Sequence, residues 1–220
     1  MENISDVFIT NYIPTIYTTP RTLKYNQNGH NKSADVFLER NGVVIILYNK
    51  TKDVLVLVKQ FRASVYFQEI SKNERFGSVD VSKCKPEKAV TLEFCAGLED
   101  KTLPTEKIAQ EEIFEECGYQ VSTESLQKII SFCNLSETTG AQSTFYYCEV
   151  TEDQRINQGG GNLEENENIE VVEMKVEDVL NYAKQNYVYN SINATLNEAT
   201  NEDSAHEQYT HAEAWHLQTL

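Results

Sequence analysis

Positive charge is what this sequence has least of. Its 220 residues carry 19 Lys and Arg against 34 Asp and Glu, a formal net charge of −15. No basic stripe or cluster interrupts the acid, which argues against nucleic acid as a partner. An anionic small-molecule substrate would meet the same repulsive field, and a bound cation is the simplest remedy. Long apolar runs are lacking as well. Nothing approaches the roughly 20 residues of a membrane span, so no membrane partner is expected. The opening MENISDVFIT has neither a basic n-region nor an apolar h-region, and no secretory signal is expected from it. The five cysteines, Cys84, Cys95, Cys117, Cys133 and Cys148, are an odd number with no C-x-x-C pair. They are expected to be reduced thiols in a cytoplasmic protein. Histidine offers little for zinc: His206, His211 and His216 are five apart, a rotation of about 500° on a helix, so they share no face.

What is present suffices for one domain with a real core, since 40% of the residues are apolar. Asp35 to Asn49 predicts two strands around an Asn41-Gly42 hairpin turn, and Asp53 to Arg62 a further strand. Phe67 to Lys88 is polar and irregular, a surface excursion, and Ala89 to Gly97 returns to a strand. Leu103 to Gly118 predicts a helix, with Pro104 and Thr105 at its start, Gly118 at its stop, and Ala109, Ile113 and Cys117 as its apolar stripe. Strands at Leu126 to Cys133 and Ser143 to Val150 follow. A glycine-rich acidic loop beginning at Gly159 runs into a strand ending at Met174, and Val176 to Asn186 predicts a short amphipathic helix. This is an α/β pattern with a mixed sheet. The divisions expected are an N-terminal segment 1–34, a main domain 35–188 and a polar tail 189–220, whose residues Ala212 to Leu220 suit a terminal helix.

The stretch AQEEIFEECGY (Ala109 to Tyr119) concentrates four glutamates, Glu111, Glu112, Glu115 and Glu116. The last three stand at i, i+3, i+4 and share one helix face. Exposed like-charge pairs cost only about a few tenths of a kcal/mol each, so a solvated acidic face fits the spacing as well as a metal site does. Partly buried, each pair would cost roughly 3 kcal/mol at an effective dielectric near 20. The buried-looking strand that ends in Ala96-Gly97 just upstream favours a site. Oxygen donors of this kind suit Mg²⁺ or Mn²⁺.

Gly97, Glu112, Ile113, Glu115, Glu116, Gly118 and Tyr119 match the spacing of the Nudix box, G-x5-E-x7-R-E-U-x-E-E-x-G-U with U apolar. Two positions depart from it: Leu103 stands for the first Glu and Glu111 for the Arg. From about Thr22 to Lys184 the chain resembles the ADP-ribose and nucleoside-diphosphate-sugar branch of that family. TLKYNQNGHNKS and VLVKQFRASVY are most similar to its UDP-sugar pyrophosphatases. The resemblance implies a Nudix-type α/β/α sandwich with a mixed β-sheet and an acidic catalytic helix. It also implies metal-dependent cleavage of a nucleotide sugar such as UDP-glucose to UMP and glucose 1-phosphate. Cleavage of ADP-ribose, or a catalytically weak protein that binds nucleotide sugars, are the other readings, the latter because Leu103 and Glu111 remove two organising residues.

By the same resemblance Glu112 and Glu116 hold Mg²⁺ (or Mn²⁺), with Glu115, the Ala96 carbonyl and Glu167 beside them. Glu165, in the E-N-E segment after the glycines, would be the base that takes a proton from water, and the glycines would let that loop close over substrate. Arg62 could pair with a substrate phosphate or make a surface ion pair. Glu93 shares a sheet face with Cys95 and could contact substrate or metal, or be a paired charge. Tyr25, Gln27 and Asn28 match the segment through which similar enzymes, as homodimers, help build the partner's site; an ordinary surface loop is the alternative.

Overall fold

In a computed structural model the described residues are 4–15, 18–134, 138–162 and 167–183. The elements in chain order are β1 (Phe8–Ile9), β2 (Thr19–Gln27), β3 (His30–Leu38), β4 (Gly42–Asn49), β5 (Val54–Phe61), α1 (Ala63–Glu69), β6 (Gly77–Ser78) and β7 (Val90–Leu98). Then follow α2 (Thr105–Glu112), continued by a π turn over Ile113–Cys117, and β8 (Gln127–Cys133), β9 (Gln142–Val150), β10 (Glu170–Met174) and α3 (Val176–Ala183). The polar tail, the suggested terminal helix and Glu165 lie outside the described residues.

Six strands form the main sheet in the order β10-β5-β7-β4-β9-β8. The β4–β9 pairing is parallel, and every other pairing in it is antiparallel, so the sheet is mixed. Its central strands are apolar on both faces, as a doubly covered sheet requires. Val43, Ile45 and Leu47 of β4, Val56 and Val58 of β5 and Tyr146 and Cys148 of β9 face one way. They pack against Ile108, Ala109, Ile113 and Cys117 of the helix. Ile46, Leu55, Leu57, Phe94 and Tyr147 face the other way, against Val179 of α3. This is the α/β/α sandwich, and Ala109, Ile113 and Cys117 are the buried stripe read from their spacing, each fully buried.

The end of the long helix is fixed at two points. Gly118 takes a left-handed conformation (φ 81°) that stops it. Tyr119, fully buried, accepts a hydrogen bond from Asn49 Nδ2 at 3.0 Å, and the Arg155 guanidinium lies 5.8 Å from its ring.

The first hairpin differs from expectation. The turn is at Asn28 (φ 54°) and Gly29 (φ 83°), joining β2 to β3 with Gln27 opposite His30. Asn41-Gly42 instead leads the chain from that hairpin into the main sheet, where Gly42 pairs with Leu98 and Ser143. Both Asn-Gly pairs satisfy the turn rule. Burial decides between them: β3 is mostly exposed while β4 is apolar on both faces, so the two cannot be neighbours in one covered layer.

Candidate functional site

The sheet face beneath the helix changes character along its length. On β5 the positions facing the helix run Val56, Val58 and Gln60, with Arg62 just past the strand's end, and on β7 they run Cys95, Glu93 and Thr91; Val58 lies opposite Glu93 and Gln60 opposite Thr91. Apolar at the core end, the face becomes polar where β5 ends. Glu93, 7% exposed, accepts from Arg62 Nε at 2.8 Å, Arg62 Nη2 at 2.5 Å, Thr91 Oγ1 at 2.5 Å and Gln60 Nε2 at 3.5 Å. Glu93 and Arg62 are paired with one another. Glu93 holds the guanidinium by a two-pronged contact, and the carboxylates of Glu116 and Glu167 add to the field that raises the pKa of Arg62, after Glu93 itself.

Glu112 and Glu116 meet this face from the helix. The Glu116 carboxylate, 2% exposed, accepts the Ala96 backbone N–H at 3.0 Å. The Glu112 carboxyl lies so close to Gly97 that a Cβ there would overlap it. Gly97 therefore leaves the room that the Glu112 carboxyl occupies. Burial, then the charges of Glu116, Glu115 and Glu167, push the Glu112 pKa up to about 8. Burial also raises Glu116, to about 7, with Glu167 adding to the rise and the Ala96 N–H, the Cys95 thiol and Arg62 opposing it.

The glycine loop crosses the end of the helix. Gly160 N–H donates to the Glu116 carbonyl at 2.9 Å and Gly161 N–H to the Glu115 carbonyl at 3.0 Å. Ile156 N–H bonds the Gly118 carbonyl at 2.9 Å. Gly159, Gly160 and Gly161 all have positive φ, at 68°, 114° and 87°. The sequence suggests a hinge here, and the structure shows a strap that caps the open carbonyls of the helix. Glu167 leaves this strap held by reciprocal bonds with Asn162, accepting at 2.9 Å through Oε2 and donating at 3.1 Å through its N–H.

Glu112, Glu116, Glu167, Ala96, Arg62 and Glu93 thus gather on one face, and Glu115 shares the helix end with them. Tyr25, Gln27 and Asn28 stand apart on the β2–β3 hairpin, where Gln27 accepts from Lys32 Nζ at 2.7 Å. Three supporting side chains carry no signal in the motif itself. Gln60 and Thr91 hold Glu93, and their strand parity with Arg62 and Glu93 could have identified them. Lys101 binds Glu111 at 2.6 Å from the loop before α2, a contact no periodicity announces.

Among the described residues no three Asp, Glu, His or Cys side chains already converge as a metal cage. The donors nevertheless suit a hard divalent cation. Half-buried Glu112 and buried Glu116 carry carboxyls that repel one another, and a cation would relieve that repulsion.

Fold and site together define the class, an α/β/α hydrolase of the Nudix type with a carboxylate-bearing helix against a strand end. No family model matches the chain. Individual proteins do. It is 36% identical over 193 residues to the uridine diphosphate glucose pyrophosphatase NUDT14 of Bos taurus, covering 83% of this chain and 87% of that protein. It is 31% identical over 146 residues to a GDP-mannose pyrophosphatase of Citrobacter koseri, covering 66% of this chain and 65% of that one. The crystal structure of an ADP compounds hydrolase superposes with a TM-score of 0.56 over 84% of this chain and 86% of its own, at 13% identity, a likeness of fold. The chain belongs to the Nudix hydrolase family.

Proposed function

We propose that the protein is a divalent-metal-dependent pyrophosphohydrolase that cleaves the diphosphate of a nucleotide sugar, with UDP-glucose and water giving UMP and glucose 1-phosphate. The observation that carries the metal-dependent reading is the Glu112–Glu116 pair, a half-buried and a buried carboxyl on one helix face, which burial first and neighbouring carboxylates second push up to about 8 and about 7. The substrate class rests on the relatives named for UDP-glucose and GDP-mannose.

Glu112, Glu116, Glu115, Glu167 and the Ala96 carbonyl would hold Mg²⁺, or Mn²⁺ in its place. Held there, the cation would supply Lewis-acid stabilisation of the charge that develops on a phosphoryl oxygen. Glu165 would take the proton from the attacking water. Arg62, its plane set by Glu93, would attract the diphosphate to the carboxylate face.

A homodimer completes this reading. Leu23, Tyr25, Phe37 and Leu38 of the β2–β3 hairpin are 54%, 42%, 37% and 68% exposed, and a lone two-stranded hairpin is marginal in water. Arg21, Lys24 and Lys32 make it locally basic in a chain of charge −15. A second copy, with its acidic face, suits that surface, and Tyr25 and Gln27 would then reach the partner's substrate. Cytoplasmic residence goes with the free thiols of Cys84, Cys95, Cys117, Cys133 and Cys148. No helix among the described residues is long and apolar enough to cross a membrane.

The test is UMP release from UDP-glucose with Mg²⁺, run beside GDP-mannose and ADP-ribose. Glu116→Gln is expected to lower kcat on the order of 10²-fold. Saturable binding without turnover of any nucleotide sugar would sink the enzyme reading and leave a binding protein. Faster cleavage of ADP-ribose would move the substrate to the ADP-ribose side of the family. Scattering-coupled gel filtration showing a monomer at working concentration would sink the dimer.

A further inference from the structure

The loop between β7 and α2 carries a cation toward the acidic helix. Lys101 Nζ lies 2.6 Å from Glu111 Oε2, with the two side chains 48% and 39% exposed. An ion pair this exposed adds little to stability. Its position matters more. Glu111 directly precedes Glu112, and the charge of Lys101 also acts on Glu112 and Glu115. On the opposite, sheet side of the same face the cation is Arg62, held by Glu93.

We propose that Lys101 and Glu111 form a charge-balancing clamp that sets how strongly the carboxylate face holds divalent cations. With Lys101 in place Glu111 adds no net charge beside Glu112, Glu115, Glu116 and Glu167. Without it, a fifth carboxylate stands next to the cation position. Without Glu111, an uncompensated ammonium stands there instead. Both residues act through the field at the site and touch neither cation nor substrate, so they are positioning residues. The loop is anchored at both ends, Glu99 N–H donating to the Asn41 carbonyl at 2.8 Å and the Pro104 carbonyl accepting from Lys107 N–H at 2.9 Å, and Lys101 reaches Glu111 from between these anchors. The inference rests on the metal-binding reading of this face and adds to it the residues that tune it.

The two single substitutions must move cation affinity in opposite directions, which a merely structural contact would not do. The probe is Mn²⁺, titrated into the full chain without substrate and followed by electron paramagnetic resonance of the free ion. Lys101→Met is expected to tighten binding and Glu111→Gln to weaken it, each by about threefold to tenfold at low ionic strength. The double variant should return to within about twofold of the parent, Lys101→Arg should stay there, and added salt should shrink every difference. Melting temperatures serve as the folding control. Shifts in the same direction, or none beyond about twofold, overturn the clamp while leaving the metal reading intact. A parent protein that binds no Mn²⁺ overturns both.

Discussion

Gly97 and Glu112 constrain each other at the scale of single residues. Gly97 leaves room for a carboxyl that would otherwise collide with its Cβ, and that carboxyl belongs to one of the two groups on which the proposed chemistry depends. The obstructed atoms are the far end of a flexible side chain, so an added methyl can be accommodated by swinging Glu112 aside. Gly97→Ala is therefore expected to fold with a melting temperature near the parent's. It should lose roughly 10²-fold in kcat, the scale of cost for misplacing a catalytic group by about an ångström. Comparing steady-state rates at saturating Mg²⁺ with a thermal melt separates the two effects, and a variant with parental kcat would show that Glu112 need not sit against Gly97. Glu93 shows the complementary principle. A buried carboxylate is tolerated when its acceptor sites are filled, and here Arg62, Thr91 and Gln60 fill them. In this arrangement Glu93 supports Arg62.

Among the elements, the acidic helix and the strap across its end are joined as one unit. The strap supplies N–H groups to the carbonyls of Glu115, Glu116 and Gly118 and carries Glu167 back toward the helix. Gly159 is its least replaceable member. Its φ of 68° is left-handed, and an added Cβ would meet the Glu116 and Cys117 backbone, which has no freedom to retreat. Gly159→Ala is expected to cost about 1–3 kcal/mol of stability, read as a lowered urea midpoint. An unchanged midpoint would mean that the strap contributes nothing to holding the helix end. The helix, its Gly118 stop and its Ala109, Ile113, Cys117 stripe were legible in the sequence because periodicity and cap chemistry are local. The two-faced strands declared a covered sheet in the same way. The strap was not legible: three glycines in a row read equally as hinge or cap until their φ values and partners are known. Nor was the choice between Asn28-Gly29 and Asn41-Gly42 as the hairpin turn, which burial decides. The Lys101–Glu111 contact was hidden for a related reason, since it joins a loop to a helix across a spacing that no repeat predicts.

For the whole molecule, net charge and the Glu112 and Glu116 carboxyls act together on stability. Glu112 and Glu116 have pKa values of about 8 and about 7 against an ordinary 4.5. Across that window the folded metal-free chain holds protons that the unfolded chain has released. Its stability is then fully present below about pH 4.5 as far as these two groups are concerned, and it is lost as pH rises through 7 and 8. Glu115 and Glu167 deepen the effect by repulsion, while Lys101 and Arg62 oppose it. A divalent cation reverses the sign of the cost, because it binds the deprotonated carboxylates and must displace their protons, so its affinity grows as pH rises. The melting temperature without metal is therefore expected to fall between pH 5.5 and pH 8 as an approximate experimental range. The increment added by Mg²⁺ should grow over the same range until the two curves diverge most at the alkaline end. Differential scanning calorimetry of the chelator-treated protein, with and without millimolar Mg²⁺, measures both. A metal increment that stayed constant with pH would mean that the cation does not compete with protons at Glu112 and Glu116. In the Glu116→Gln variant one of the two titrations is removed, and the slope of the metal-free curve should flatten accordingly.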